Sequence, residues 1–194
     1  MPQIFDDEKR LSLRKQMLEN GFELIKRYGY KKTSVEDVTR MSGIAKGTFY
    51  NFFTTKEEFV HEIVIYKRNC VKNEFQKLLN KDNSLDRTSF KNYLENIVFN
   101  DNNLFAYLTE DEIAILNTRW PKEYFINDTN DEQTSTWILS HINGISPKCD
   151  WRIFSNYMKA IAVIQANSQK FIQEVYTETL EHIIDNILDY IFKY

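Results

Sequence analysis

One short cluster in the sequence combines a positive charge with hydroxyl and amide side chains. Lys46 and Gly47 come first, and Thr48, Tyr50 and Asn51 follow closely. Hydroxyl and amide groups hydrogen-bond phosphate oxygens or base edges, and a lysine adds attraction to phosphate. The chemistry that this cluster favours is recognition of a nucleic acid.

Three predicted helices and a glycine turn position the cluster. Apolar residues recur at helical spacing over about 7–28, which predicts a first helix. A capping-box pattern of Thr33 and Glu36 opens a helix of about two turns that ends before Gly43. The cluster begins the next short helix, so the stretch 33–58 is predicted to be a helix-turn-helix with the first helix packed behind it.

A long helix follows, and its beginning extends the polar chemistry. Thr55 to Glu58 form a second capping-box pattern, which starts a helix through roughly Leu79. Lys56 adds a positive charge there. The N-termini of this helix and of the two-turn helix can also offer free backbone N–H groups to phosphate oxygens.

The remainder is predicted to be a helical body. A polar connection over 80–87 is followed by helices over about 88–99, 109–120, 134–143, 150–168 and 171–193, with caps at Thr109–Glu112 and Asp150. The stretch Tyr124–Gln133 is predicted to be a loop. The last two helices carry more apolar surface than one neighbouring helix can cover, which predicts that two copies associate there as a four-helix bundle.

Composition agrees with a helical, two-part chain. Five glycines and three prolines in 194 residues are a scarcity of helix breakers that favours an all-α fold. Residues 1–68 carry a net charge of +3 and residues 69–194 a net charge of −6, which is typical of a nucleic-acid-binding head followed by a non-binding domain. No run approaches 18 apolar residues, so no membrane span is expected. Two distant cysteines and no signal-peptide pattern indicate the cytoplasm.

Catalysis is the rival class, and the sequence gives it little support. His61, His141 and His182 lie on separate predicted helices, without an HExxH, GxSxG or glycine-rich phosphate motif. The acidic run at 110–112 is explained by helix capping. No catalytic residue, metal site or cofactor is therefore expected, and a redox role for the cysteines has no activating pattern behind it.

Two runs carry a resemblance to a known family. They are Tyr28–Val38 (Tyr-Gly-Tyr-Lys-Lys-Thr-Ser-Val-Glu-Asp-Val) and Ser42–Phe59 (Ser-Gly-Ile-Ala-Lys-Gly-Thr-Phe-Tyr-Asn-Phe-Phe-Thr-Thr-Lys-Glu-Glu-Phe). Both resemble the DNA-binding region of the tetracycline-repressor-like (TetR/AcrR) family of bacterial transcription regulators. That region has a Ser-Lys-Gly-Thr-Leu-Tyr segment, an aromatic pair and Lys-Glu-Glu-Leu. The resemblance covers about a quarter of the chain.

The resemblance implies roles for individual residues. Thr33 would contact a phosphate, Lys46 and Thr48 would face the major groove, and Tyr50 and Lys56 would hold the DNA backbone. The small core of the head would be formed by Val35, Val38, Ile44, Phe49, Phe53 and Phe59. The sequence departs from the family pattern at Ala45, where a serine cap is common, and at Thr39, which replaces an alanine.

The predicted architecture is all-α, with an N-terminal three-helix helix-turn-helix head on a larger helical domain. The head covers 1–54, a connecting helix covers 55–79, and a domain for effector binding and dimerisation covers 80–194. The resemblance implies a cytoplasmic repressor that binds a palindromic operator in double-stranded DNA as a homodimer. The dimer would form through the helices at about 150–168 and 171–193.

A small-molecule effector would release this regulator from the operator, and the aromatic residues of the middle helices would fill a core or line its pocket. The alternative is a helical ligand-binding or interaction protein whose degenerate head no longer binds DNA. Substitution of Tyr50 or Lys46 discriminates the two, because loss of a phosphate contact weakens binding to every DNA sequence and flattens its salt dependence.

Overall fold

A computed structural model describes residues 2–100, 102–120 and 128–193, and helices dominate this part of the chain. Its α-helices are α1 (Pro2–Tyr28), α2 (Val35–Ser42), α3 (Lys46–Tyr50), α4 (Lys56–Leu78), α5 (Arg87–Phe99), α6 (Glu110–Arg119), α7 (Asp128–Ser140), α8 (Trp151–Ala166) and α9 (Tyr176–Phe192). Short 3-10 helices cover Leu104–Tyr107, Ser168–Lys170 and Gln173–Val175. One isolated bridge pairs Leu85 with Ile142. The predicted all-α class is confirmed.

The capping box of α2 lies one residue later than predicted. Ser34 is the N-cap, its hydroxyl accepts the Asp37 amide, and the Asp37 carboxylate accepts the Ser34 amide. The predicted pairing of Thr33 with Glu36 is wrong, because the Thr33 hydroxyl donates to the Gly29 carbonyl at 2.9 Å. The Thr33 hydroxyl therefore supplies a hydrogen bond to a carbonyl at the C-terminal end of α1, and none to the backbone amides of the first turn of α2.

Other predicted caps are found where the sequence places them. Thr109 and Glu112 form a full capping box at α6, and Asp150 caps α8 by accepting the Arg152 amide at 2.9 Å. At α4, Thr55 accepts the Glu58 amide at 3.0 Å. Local polar spacing thus fixes these helix starts.

Two helix starts in the second half differ from the prediction. Of the predicted loop, 124–127 lie outside the described residues, whereas 128–133 form the first turns of α7, which ends at Ser140. The Asp131 carboxylate forms an ion pair with the Lys159 ammonium of α8, with 2.5 Å between nitrogen and oxygen. This tertiary contact stabilises the polar start of α7. The last helix begins at Tyr176 rather than near 171.

Residues Met1–Asn69 and Asn103–Phe125 form one compact unit. Of the core residues predicted for the head, Ile44 is partly buried and the others are buried, so α1 to α4 share one small core. The unit also buries Leu104, Leu108, Leu116 and Trp120 from beyond the head. The division by function at 54 and 80 stays a prediction.

α1 and α4 approach closely at Gly21. A Cβ atom at this position would lie 2.4 Å from Phe59 and 2.9 Å from Ile63. A larger residue would collide with these side chains, so glycine is required here. The close contact of α1 with α4 keeps α1 packed behind the helix-turn-helix.

Residues Cys70–Asn102 and Ile126–Tyr194 form the second compact unit. Its aromatic residues pack against one another, with ring centroids of Phe75 and Tyr93 4.8 Å apart and those of Phe75 and Trp137 5.1 Å apart. α9 contributes its apolar stripe to the same core, with exposed fractions of 2% or less at Leu180, Ile184, Ile187, Leu188 and Ile191. These five side chains are covered within the chain, whereas Ile172 and Val175 of the predicted stripe are exposed, and association through the last two helices stays a prediction.

Candidate nucleic-acid interface

A tight left-handed turn joins α2 to α3. Gly43 ends α2 with φ 67°, a conformation that glycine adopts without strain. The Ile44 amide then donates to the Thr39 carbonyl at 3.0 Å. On the side of α2 that packs against α1, the Asn20 amide of α1 donates to the buried Ser42 hydroxyl at 3.0 Å. These bonds fix the direction in which α3 leaves α2.

α3 is anchored by one fully buried aromatic ring. Phe49 has no exposed surface, and its ring centroid lies 5.3 Å from that of Phe53 and 5.1 Å from that of Phe59. Ala45 caps the helix without a side-chain hydrogen bond, as its sequence departure predicts. Because α3 has five residues and one buried anchor, its remaining faces turn to solvent.

The cluster found in the sequence lies on this solvent side. Lys46, Gly47, Tyr50 and Asn51 are exposed, and Thr48 is half-buried. A Cβ atom added at Gly47 would meet nothing within 4 Å. The structure therefore brings five of the seven predicted contact residues together on one accessible helix, and their contact with DNA stays a prediction.

The Lys46 ammonium already has a partner in the protein. It forms an ion pair with the carboxylate of Glu36, in the first turn of α2. The hydrogen bond to Glu36 raises the pKa of Lys46 and lowers the pKa of Glu36. The pairing of Glu36 with Lys46 could not be predicted from the sequence, because ten residues and a turn separate the two and no helical spacing connects them.

Thr33 and Lys56 differ from the other five because their polar atoms point into the head. Thr33 is buried and bonded to Gly29, as described above. The Lys56 ammonium donates to the Tyr30 carbonyl at 2.6 Å and lies 4.0 Å from the centre of the Tyr30 ring. Burial lowers the pKa of Lys56. Both side chains hold the α1–α2 turn.

A charged network supports the same turn. The Tyr30 hydroxyl donates to Glu57 at 2.9 Å, and Glu57 forms an ion pair with Arg119 at the end of α6. Burial and the hydrogen bond to Glu57 raise the pKa of Tyr30 to about 12. The Trp120 indole donates to the Glu57 carbonyl at 2.9 Å.

Glu112 of α6 reaches the turn from another side. Its carboxylate is buried and accepts the Lys31 amide at 2.7 Å and the Thr109 amide at 3.0 Å. Burial alone would raise the pKa of Glu112, but these amide hydrogen bonds outweigh it and the pKa is lowered. A buried carboxylate thus fixes the backbone just before α2.

Arg10 is a second residue that sequence patterns did not single out for a particular contact. Its guanidinium lies 5.2 Å from the centre of the Phe52 ring, directly after α3. Arg14, one turn further along α1, stacks on Phe53 at 5.6 Å and pairs with Glu62. Two arginines of α1 therefore contact the aromatic pair Phe52 and Phe53, which follows α3.

The helix-turn-helix matches a known family model. Residues 17–63 match the model described as bacterial regulatory proteins, tetR family. The chain is 33% identical over 55 residues to the HTH-type transcriptional repressor DhaR of Mycobacterium sp. strain GP1. It is 38% identical over 50 residues to the uncharacterized HTH-type transcriptional regulator YhgD of Bacillus subtilis strain 168. These stretches span 28% and 26% of the respective relatives.

The whole fold also has solved counterparts. A transcriptional regulator of the TetR family from Agrobacterium tumefaciens superposes with a TM-score of 0.61 at 16% identity. The match covers 94% of this chain and 99% of that one. Fold and site together define a helix-turn-helix protein in which a three-helix head is followed by a helical body.

Within that class, residues 17–63 match the helix-turn-helix of the tetR family, and the whole fold resembles that of a solved TetR-family regulator. The proteins it resembles are regulators of transcription, not enzymes. Among the described helices, none is long and apolar enough to cross a membrane.

Proposed function

We propose that the protein is a cytoplasmic transcriptional repressor that binds a palindromic operator as a homodimer and is released by a small-molecule effector. The observation that carries the proposal is the accessible α3, with Lys46, Thr48, Tyr50 and Asn51 on or beside its solvent side. DhaR, which this head resembles, is a repressor. The residues of the head, 1–54, are proposed as the DNA-binding domain.

α3 enters the major groove in this proposal. Thr48, Tyr50 and Asn51 hydrogen-bond base edges or phosphates, and Lys46 binds a phosphate or a guanine edge. Gly47 allows the backbone to approach the duplex. Thr33 and Lys56 complete the set as proposed supports, since their bonds to main-chain carbonyls position the first turns of α2 and α4.

Selection from a random duplex pool tests this function. The full chain is expected to enrich a palindrome whose half-sites lie about 34 Å apart, one helical turn. On the enriched duplex, Lys46→Gln should flatten the salt dependence by about 0.9 in the slope of log K against log salt. Glu23→Gln, which changes an exposed residue of α1, serves as a folding-matched control.

Failure to enrich any sequence, before and after refolding to remove a bound effector, would favour the alternative of a degenerate head. The internal bonds of Thr33 and Lys56 are the observations that keep this alternative in view. Unchanged DNA binding by both Lys46→Gln and Tyr50→Phe would show that α3 is not the contact surface.

The homodimer is proposed to form through α8 and the segment before α9. Ile153 and Val163 of α8 are exposed by 44% and 62%, and Phe171, Ile172 and Val175 are exposed as well. Val163→Asp is expected to give a monomer by light scattering, while Leu11→Asp, at an apolar residue of α1 that is 67% exposed, leaves the dimer intact. A Val163→Asp dimer would contradict this interface.

The effector is proposed to bind in the domain 80–194, where Tyr93, Trp137 and Phe154 belong to a dense aromatic core. Release requires the effector to favour the conformation that does not bind DNA, with a coupling of about 1–3 kcal/mol. A compound that raises the melting temperature should therefore lower affinity for the selected duplex by about 5- to 150-fold. Stabilising compounds that leave DNA affinity unchanged would contradict release by effector.

A further inference from the structure

The ion pair between Glu36 and Lys46 joins the two helices of the helix-turn-helix on their outer surface. Glu36 lies in the first turn of α2 and Lys46 is the first residue of α3. The side chains stay 59% and 53% exposed, so solvent and a bound partner can both reach them.

Glu36 is not a member of the capping box of α2. Ser34 and Asp37 form the complete capping box, and Asp37 also pairs with Arg40. Among the described residues, the Glu36 carboxylate forms its ion pair with Lys46. The capping box is complete without this carboxylate, which is free to act on the lysine.

Lys46 cannot bind a phosphate and Glu36 at once. A lysine that contacts a phosphate releases condensed counterions from DNA, and this release supplies almost all of the affinity for DNA of random sequence. When the lysine must first leave a carboxylate, part of this gain is lost, because the Glu36–Lys46 pair carries no net positive charge.

Resting on the proposed function, we propose that Glu36 is a negative determinant of DNA affinity, whose carboxylate competes with DNA phosphates for Lys46. The residue thus sets how strongly, and with what salt dependence, the head binds a duplex. The pair exchanges its partner upon binding, with the lysine moving from Glu36 to DNA.

Substitution of Glu36 with glutamine tests this exchange. The full chain is titrated against a fluorescein-labelled duplex pool of random sequence, with anisotropy read at KCl concentrations between about 50 and 200 mM. Glu36→Gln should bind the pool roughly two- to fivefold more tightly, which corresponds to the strength of an exposed ion pair. The slope of log K against log salt should steepen by about 0.9.

A double-mutant cycle shows whether the gain passes through Lys46. Glu36→Gln is compared in the wild-type and Lys46→Gln backgrounds, and Glu23→Gln removes one exposed carboxylate from α1 as the matched control. In the Lys46→Gln background, the gain from Glu36→Gln should fall to that of Glu23→Gln. Both paired positions are exposed, so thermal unfolding should be almost unchanged in every variant.

Three results would overturn the inference while the proposed function stands. The first is a gain that persists in the Lys46→Gln background, and the second is a gain no larger than that of Glu23→Gln. The third is weaker binding of Glu36→Gln to the selected duplex, which would mean that Glu36 reads a base, as carboxylates do at the amino group of cytosine. If neither wild type nor any variant binds duplex DNA, the proposed function itself fails.

Discussion

Replacement of Gly47 by alanine separates folding from DNA contact. A Cβ atom at this position meets nothing within 4 Å, and the residue lies in the first turn of α3. Alanine is a better helix former than glycine, so the free energy of unfolding should rise, by up to about 1 kcal/mol. In a chain of this size, that gain corresponds to an increase of about 2–4 °C in melting temperature.

The same methyl group should weaken DNA binding. If the backbone of α3 approaches a base pair or phosphate at Gly47, an added methyl group displaces one close contact. Contacts of this kind are worth about 1–3 kcal/mol, so affinity for the selected duplex should fall about tenfold. Fluorescence anisotropy with the selected duplex measures the affinity, and thermal unfolding monitored by circular dichroism measures the stability.

Two other glycines provide the matched substitutions. Gly43→Ala places a side chain at φ 67° and should lower stability by about 1 kcal/mol. Gly21→Ala forces a methyl group against Phe59 and Ile63, at a cost of about 1–3 kcal/mol. A Gly47→Ala protein that is as stable as expected and binds the selected duplex like wild type would refute the close approach of α3 to DNA.

The remaining predictions concern the support of the head. Glu112→Gln should lower stability near neutral pH by about 1.5–3 kcal/mol, because a charged acceptor of two amides is lost. The Glu112 carboxylate has a lowered pKa in the folded state, so its contribution to stability is present above about pH 4.3 and is lost as pH falls through the folded pKa. Urea denaturation of wild type and Glu112→Gln at several pH values should show that their difference in stability shrinks as pH falls. Lys56→Met should destabilise the head yet leave the salt slope of DNA binding unchanged, and a slope reduced by about 0.9 would instead place Lys56 on a phosphate. A fragment of residues 1–54 should show no cooperative thermal transition, and a folded fragment would contradict the need for Phe59 and Glu112.

Elements with a local cause could be predicted from the sequence. The capping box of α6 and the cap at Asp150 depend on residues within one helical turn, and both were predicted correctly. The buried side of α3 follows in the same way, because Phe49 and Phe53 are one turn apart and share a face. Exposure of the recognition cluster is the consequence of that burial.

Choices between neighbouring residues could not be predicted. Thr33 and Ser34 are both good N-caps, and the pattern Thr-Ser-Val-Glu-Asp offers a carboxylate three residues after each. The end of α1 determines which residue caps α2. The Thr33 hydroxyl donates to the Gly29 carbonyl, and the Ser34 hydroxyl accepts the Asp37 amide in the first turn of α2. A nearby helix end thus shifted the box by one residue.

Partners distant in sequence were out of reach for a different reason. The Glu112 carboxylate accepts the Lys31 amide although 81 residues separate the two, and no periodic pattern in the sequence connects these positions. Acidic residues at 110–112 were explained by capping, which is correct for Glu112. Its hydrogen bond with the Lys31 amide depends on how the helices pack and has no local signal.

The packing also shows that α2 and α3, the helices proposed to meet DNA, are positioned by residues outside the predicted head. The turn before α2 is bonded on one side by the Lys56 ammonium at the Tyr30 carbonyl and on the other by the Glu112 carboxylate at the Lys31 amide. Both groups lie beyond residue 54, and Glu112 is buried while Lys56 is half-buried, so displacing either one leaves a main-chain group or a charge without its hydrogen-bond partner. The orientation of α2, and through the Gly43 turn that of α3, is therefore a property of the whole compact unit rather than of the helix-turn-helix sequence alone.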